Sequence, residues 1–378
     1  MIKKTLTKAL GKLLVLKVVA IFLLTLSAVH ARAYQQIVIN EYGPPNVMQL
    51  VEQAILPEPS AGEVRIKVLA AGVSFTDTMV RKGVYVGVNV EFPFSPGYDL
   101  VGVVDKLGPG VEGFAIGQKV ADLTVYGAYT QYTVRPIDSL VPVPNNLDAV
   151  EAVSLVLSYT TAYQMLHRVA DLKAGQSVLI HGASGAVGTA LAQIGKAAGL
   201  TMFGTASTAK QDFVADLGVT PIDYRTEDFV EKVMAATENQ GVDVVFDAVS
   251  IDNFKRSYST LKSGGRLITY GFYSKSLSSQ AGDSFQIIKE FLKWKWLQLR
   301  WSWFPTQGRS AEFYSITDLR AGQPTWFKED LAALFELLAN GEIAPKIWKT
   351  FPLSEASQAH QLLEQGKVRG KIVLKIAE

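Results

Sequence analysis

The feature that most constrains this chain is the run Val178-Leu-Ile-His-Gly182-Ala-Ser184-Gly185-Ala186-Val187-Gly188. Three spaced glycines separate a short apolar stretch from a helix-like one. Gly182 permits a tight turn, Gly185 lets a ligand approach the backbone, and Gly188 lets the helix pack against the strand. The helix that opens there presents free N–H groups and a positive dipole end, which suits a pyrophosphate. The surrounding pattern supports the same reading. Apolar runs at 201–205, 242–247 and 265–270 alternate with helix-like segments at 186–199, 209–217, 229–238 and 254–261. Strands alternating with helices predict an α/β fold, a doubly wound parallel sheet of the Rossmann kind.

The second strand discriminates between cofactors. A reader of NADH carries Asp or Glu there, about 20 residues beyond the turn. This chain reads Phe203-Gly-Thr-Ala-Ser207-Thr-Ala-Lys210, with no carboxylate. A hydroxyl at Ser207 and the ammonium of Lys210 suit a 2′-phosphate, so NADPH is the expected cofactor. The plainer reading of Lys210 is a solvated residue at a helix start.

Residues 34–143 read differently, as short strands and turns. The segment 63–69 alternates polar and apolar, and 97–104, 119–123 and 129–134 are β-rich stretches bounded by Gly and Pro. A barrel-like β domain follows, ending near Pro142-Val-Pro144 and giving way to a helical stretch at 148–170. Near the other end, 328–338 reads as a helix and 371–376 as a closing strand. Between them, 285–304 interleaves Trp294, Trp296, Trp301 and Trp303 with Lys293, Lys295 and Arg300. Three functional readings fit this stretch beside plain core: a substrate wall, a dimer contact, and a membrane-interface patch.

Composition removes several classes. The chain has no cysteine and four histidines, so disulfides, thiol catalysis and cysteine-ligated metal are excluded. A formal net charge of +2 gives no field for nucleic acid. Part of the positive charge sits in Lys3, Lys4, Lys8, Lys12 and Lys17, ahead of an apolar run at 18–29 and an Ala31-Arg-Ala33 site. That arrangement reads as a signal peptide; a retained anchor or an unprocessed extension fits it too. Export conflicts with a need for NADPH, which argues for the cytoplasm.

From Tyr34 onward the chain resembles the zinc-independent quinone oxidoreductase branch of the medium-chain dehydrogenase/reductases. The residues that carry this are Gly72-Val-Ser-Phe-Thr-Asp77, Arg81-Lys-Gly-Val-Tyr85, Pro96-Gly-Tyr-Asp-Leu-Val-Gly102, Ser158-Tyr-Thr-Thr-Ala-Tyr163 and the glycine turn. Val219-Thr-Pro-Ile-Asp-Tyr224 with Phe203-Gly-Thr-Ala-Ser207 is similar to the vesicle amine transport protein branch. The resemblance implies a GroES-like β domain formed from both chain ends, residues 34–157 and 319–378, around an NADPH-binding Rossmann domain at 158–318, with 1–33 apart. It implies Thr161 near the nicotinamide, and Lys210 and Tyr224 at the 2′-phosphate. Zinc members place Cys at the position of Val73 or Ser74 and His at that of Tyr98, and both are replaced. The expected activity is hydride transfer from NADPH to a quinone, enone or other activated alkene or carbonyl, by a homodimer. Ser74 and Tyr85 are the candidates to donate hydrogen bonds to the substrate oxygen, while Asp77 is expected to fix local backbone. The same resemblance allows an NADPH-binding, membrane-associated or regulatory protein with little turnover.

Overall fold

The computed structural model describes residues 33–304 and 306–376. The signal or anchor reading of the N-terminal segment therefore lies outside the described residues, Ala33 excepted. Among the described residues, no helix is long and apolar enough to cross a membrane.

The chain opens with an antiparallel ribbon, β1 (Tyr34–Val38) and β2 (Gln49–Gln53). It then builds most of a seven-stranded sheet from β3 (Glu63–Val73), β4 (Leu100–Leu107), β5 (Lys119–Asp122), β6 (Tyr132–Pro136) and β7 (Val141–Pro142). The polar–apolar alternation of β3 puts Val64, Ile66 and Val68 in the core while Arg65 and Lys67 lean outward. Past Leu69 the strand is buried on both faces. Register shifts between Arg65 and Ile66 and between Val68 and Ala70 interrupt its pairing with β4, and such bulges bend a sheet. Helix α1 (Phe75–Lys82) leaves the end of β3 and stops at Gly83.

The central part is a parallel six-stranded sheet. Its strands are β8 (Ser177–His181), β9 (Thr201–Ala206), β10 (Thr220–Asp223), β11 (Val242–Asp247), β12 (Leu261–Thr269) and β13 (Ser310–Phe313). Their spatial order is β10-β9-β8-β11-β12-β13. The order reverses between β8 and β11, and ligands of open α/β sheets sit outside the strand ends at such a point. Helix α2 (Ala186–Ala197) follows β8, and the 19-residue helix α3 (Phe285–Trp303) precedes β13. The Trp-rich stretch is thus one long helix.

After helix α4 (Pro324–Ala339), the chain returns to the first sheet. Strand β14 (Ile347–Pro352), helix α5 (Ala356–Glu364) and strand β15 (Lys371–Lys375) complete it. β15 pairs antiparallel with β3, setting Ile372 against Val73 and Leu374 against Ala71. One hydrophobic core runs from Ala70 and Val101 of this sheet, through the helical run 149–169 and α4, to Val178 and Ile180 of the other. The protein is an α/β fold with a Rossmann sheet and a β-rich partner built from both chain ends.

Several expected bounds shift: the stretch read at 97–104 is strand Leu100–Leu107, and the helix read at 328–338 spans Pro324–Ala339. The helix expected at 254–261 spans Ile251–Ser259, because the Ser250 side chain caps it early by accepting from the Asn253 N–H. The strand expected from 265 already begins at Leu261.

Candidate active site

The glycine turn sits where the sequence puts it, between β8 and α2. Gly182 has φ +68°, a conformation that side chains resist. A Cβ on Gly188 would lie 2.4 Å from the Gly182 carbonyl oxygen and 2.7 Å from Ala183 Cα, so only glycine lets the helix seat on the turn. Gly185 occupies the cap position of α2, and no side chain caps this end. The first N–H groups of the helix, on Ala186, Val187 and Gly188, therefore have no partner within it. Ser184 is buried, and its carbonyl accepts from the Gly370 N–H at 2.8 Å. The loop before β15 thus lies on the turn.

The end of β9 brings a second group together. Ser207 precedes Lys210, whose ammonium donates to the Gly366 and Val368 carbonyls at 2.8 and 2.7 Å. The Arg369 guanidinium donates to the Ala209 carbonyl at 2.6 Å. Burial first, then the neighbouring charges of Arg369 and Arg225, pull the Lys210 ammonium below its usual pKa. Crowded cations of this kind are relieved by an anion. Tyr224 is exposed after β10, beside Arg225. The nearby carboxylate of Asp223 is occupied by the Arg225 N–H and the Thr208 hydroxyl. Sequence reasoning missed Arg225 and Arg369; Arg369 arrives from about 160 residues further along the chain, which no local pattern announces.

A third group gathers around Thr161. The helical run there widens to π turns at Leu155–Tyr159 and Gln164–Val169, on either side of Thr160–Tyr163. Such bulges re-aim side chains and are frequent at functional sites. Tyr314, just past β13, donates to Gln164 Oε1 at 2.7 Å and also meets the Thr161 side chain. Gln164 is held in turn by Asp330 of α4, at 3.0 Å. The Tyr85 and Tyr98 hydroxyls lie 2.9 Å apart. Burial raises the pKa of all three phenols, so Tyr85, Tyr98 and Tyr314 stay protonated. The Tyr314 proton is committed to Gln164, and one proton of the Tyr85–Tyr98 pair joins the two hydroxyls, which leaves that pair one neutral donor. Tyr314 had no sequence signal.

Ser74 is placed otherwise. It is the cap of α1, where its N–H and hydroxyl both donate to Asp77 Oδ2 at 2.6 Å, and its Oγ accepts weakly from the Asp77 N–H at 3.4 Å. This reciprocal box fixes the backbone at the end of β3. The Ser74 hydroxyl proton is engaged by Asp77.

The fold and these groups define a two-domain nucleotide-binding oxidoreductase architecture. Residues 60–145 match the alcohol dehydrogenase GroES-like domain, and residues 217–374 match a zinc-binding dehydrogenase domain. The chain is 33% identical to a 2-haloacrylate reductase of Burkholderia over 88% of its own length and 96% of that protein's. It is 30% identical to the human synaptic vesicle membrane protein VAT-1 homolog-like, over 92% of this chain and 82% of the relative. The Escherichia coli quinone oxidoreductase, solved in complex with NADPH, superposes with TM-score 0.77 at 26% identity, covering 90% of this chain and 99% of that one. The chain belongs to the medium-chain dehydrogenase/reductase family, in its zinc-independent quinone oxidoreductase branch. Despite the name of the second matching domain, the chain holds no cysteine. Among the described residues, no cluster of three or more His, Cys, Asp or Glu could hold a metal ion.

Proposed function

We propose that this protein is an NADPH-dependent reductase that delivers hydride to a quinone or another activated alkene or carbonyl without zinc. The observation that carries the cofactor choice is the cation group of Lys210, Arg225 and Arg369 at an end of β9 that lacks a carboxylate. These residues, with Ser207 and Tyr224, would hold the 2′-phosphate. The N–H groups of Ala186, Val187 and Gly188, with Ser184 and Gly185 beside them, would face the pyrophosphate. Gly182 and Gly188 shape that turn, and Thr161 would stand at the nicotinamide end. NADPH, when bound, supplies the hydride; the chain supplies position and electrostatics. Tyr85 donates a hydrogen bond to the substrate oxygen, Tyr98 orients Tyr85, and the buried phenols help to exclude water. Ser74 acts through the backbone it holds. The partners in this reading are a quinone or enone and a second copy of the chain.

The engagement of the Ser74 hydroxyl by Asp77 favours a second reading, in which the protein binds NADPH and turns over little. The VAT-1 name of some relatives points the same way. Oxidation of NADPH and NADH with a panel of quinones and enones separates the two. The first reading expects turnover with a preference for NADPH. Lys210→Ala and Arg369→Ala should each lower kcat/KM for NADPH by about ten- to a hundredfold, the worth of a charge-assisted hydrogen bond, and leave NADH nearly unaffected. Tight NADPH binding with no turnover on any acceptor establishes the second reading. Equal use of both nucleotides overturns the phosphate assignment.

A further inference from the structure

Helix α3 is apolar on two faces, and only one of them is used by the fold. Inward, Ile287, Trp294 and Leu297 are buried, and Trp301 stacks on Tyr258 with centroids 4.1 Å apart. Outward, Phe285, Ile288, Leu292, Trp296, Leu299 and Trp303 follow one another at steps of three and four, which aligns them on one side of a helix. Trp296 is 63% exposed and Trp303 68%, and Phe304 extends the row at 73%. A helix of 19 residues makes this row about 28 Å long. Isolated exposed apolar residues need no explanation, but a contiguous row of this size does.

The charges beside the row decide what covers it. The exposed polar residues of the helix include Lys289, Lys293, Lys295 and Arg300, and no exposed residue of 285–304 is acidic. Its one carboxylate, Glu290, is mostly buried and paired with Lys293. The groove between α3 and β13 adds Arg309. Packing this face two-fold on itself would set these cations against their own copies. A surface that accepts aromatic side chains at its boundary and carries negative headgroups pairs with both features.

We propose that the outward face of α3 docks on the surface of an anionic lipid bilayer. The helix lies in the interface, with Phe285, Leu292, Trp296 and Trp303 entering the acyl boundary and the lysines at the headgroups. The inward face stays packed on the Rossmann sheet, so docking requires no unfolding. The sequence ahead of Tyr34, with five lysines and an apolar run, is a second segment of the same chemistry, and stable attachment takes two such signals.

The absence of cysteine makes the test direct. The full chain carrying Leu292→Cys is labelled with an environment-sensitive fluorophore and mixed with phosphatidylcholine vesicles, with and without phosphatidylserine. The expected result is a blue shift on the phosphatidylserine vesicles alone, weakened by salt. A label at Ile116→Cys, exposed on the β-rich sheet's side, should show none. Trp296→Ser with Trp303→Ser, both surface changes, should lower the Leu292→Cys shift at a given lipid concentration at least about tenfold. Sedimentation with the vesicles but no shift at position 292 overturns the proposal and assigns binding to the N-terminal segment. An equal shift on uncharged vesicles overturns the role of the lysines. A dimer in sedimentation velocity that the same two substitutions dissociate, without any vesicle shift, makes the face a contact between copies instead.

Discussion

Asp77 behaves far from an ordinary carboxylate. It is fully buried, its Oδ2 accepts twice from Ser74, and its Oδ1 meets no donor among the described residues. Burial first, and the charge of Asp99 second, raise its carboxyl to about 7, against the hydrogen bonds from Ser74 and the charge of Lys371. In the unfolded chain the same group titrates near about 4. Between these values the folded protein keeps a proton that the unfolded chain has lost, so folding stability falls as pH rises from about 4 to about 7 and stays lowered above that. Asp77→Asn is neutral throughout and still accepts from Ser74. Relative to the parent, it should gain roughly 2–4 kcal/mol between pH 4 and pH 8, measured by urea unfolding. Asp99, Lys371, Tyr129 and Arg81 face the same pocket and remain in both proteins. Parallel pH profiles would show that Asp77 is ionised in the fold.

At the scale of elements, the turn between β8 and α2 is where local sequence and global fold agree most closely. Gly188→Ala places a Cβ against backbone atoms of Gly182 and Ala183, which cannot move aside as a side chain can. The expected cost is about 1–3 kcal/mol of stability, with NADPH affinity lowered at least about tenfold because α2 backs away from its turn. Retained affinity in calorimetry would mean that the turn does not carry the nucleotide. The same element explains what the sequence made legible. The glycine spacing, the alternation of β8, β9, β11 and β12 with helices, and the missing acid after β9 are local patterns, readable without the fold. Strands β10 and β13 have four residues each, too few to show a period. In α3 the apolar residues occupy two faces, which blurs the 3.6-residue signal. Helix α5 and strand β14 went unassigned, as short elements of the returning chain. Tyr314, Arg225 and Arg369 join the site only through tertiary packing. Ser74 and Asp77 were visible as a pair of residue types, yet the capping box that joins them could be assigned only once β3 was seen to end there.

The whole molecule is closed by contacts between its distant ends, and the most concentrated of them centres on Arg81. Its guanidinium is buried on α1, 0% exposed, and donates to the Gly43 carbonyl at 3.0 Å and to Glu364 Oε1 at 2.6 Å. It also lies 3.0 Å from His360 Nδ1, and α5 supplies both His360 and Glu364. An arginine has only donors, so His360 Nδ1 must accept. Burial and the Arg81 charge hold the His360 pKa well below its usual value, so the ring is neutral and its proton sits on Nε2. Nε2 then donates to the Tyr129 hydroxyl at 3.0 Å. One arginine thus ties the helix after β3 to the helix before β15, the strand that pairs with β3. Arg81→Met fills similar volume but leaves the Glu364 carboxylate only the longer contact with the Lys82 ammonium at 3.6 Å, and it strands two acceptors, the Gly43 carbonyl and His360 Nδ1. It should cost about 2–4 kcal/mol in urea unfolding, from the lost charge-assisted pairing and the two buried acceptors left without a donor. Adding Glu364→Met removes the weakly paired carboxylate, so the double variant should lose less than the sum of the two single variants, a coupling that a simple packing defect would not produce. If the two losses instead add, the chain ends are held by the β3–β15 pairing itself, and the arginine merely fills space between them.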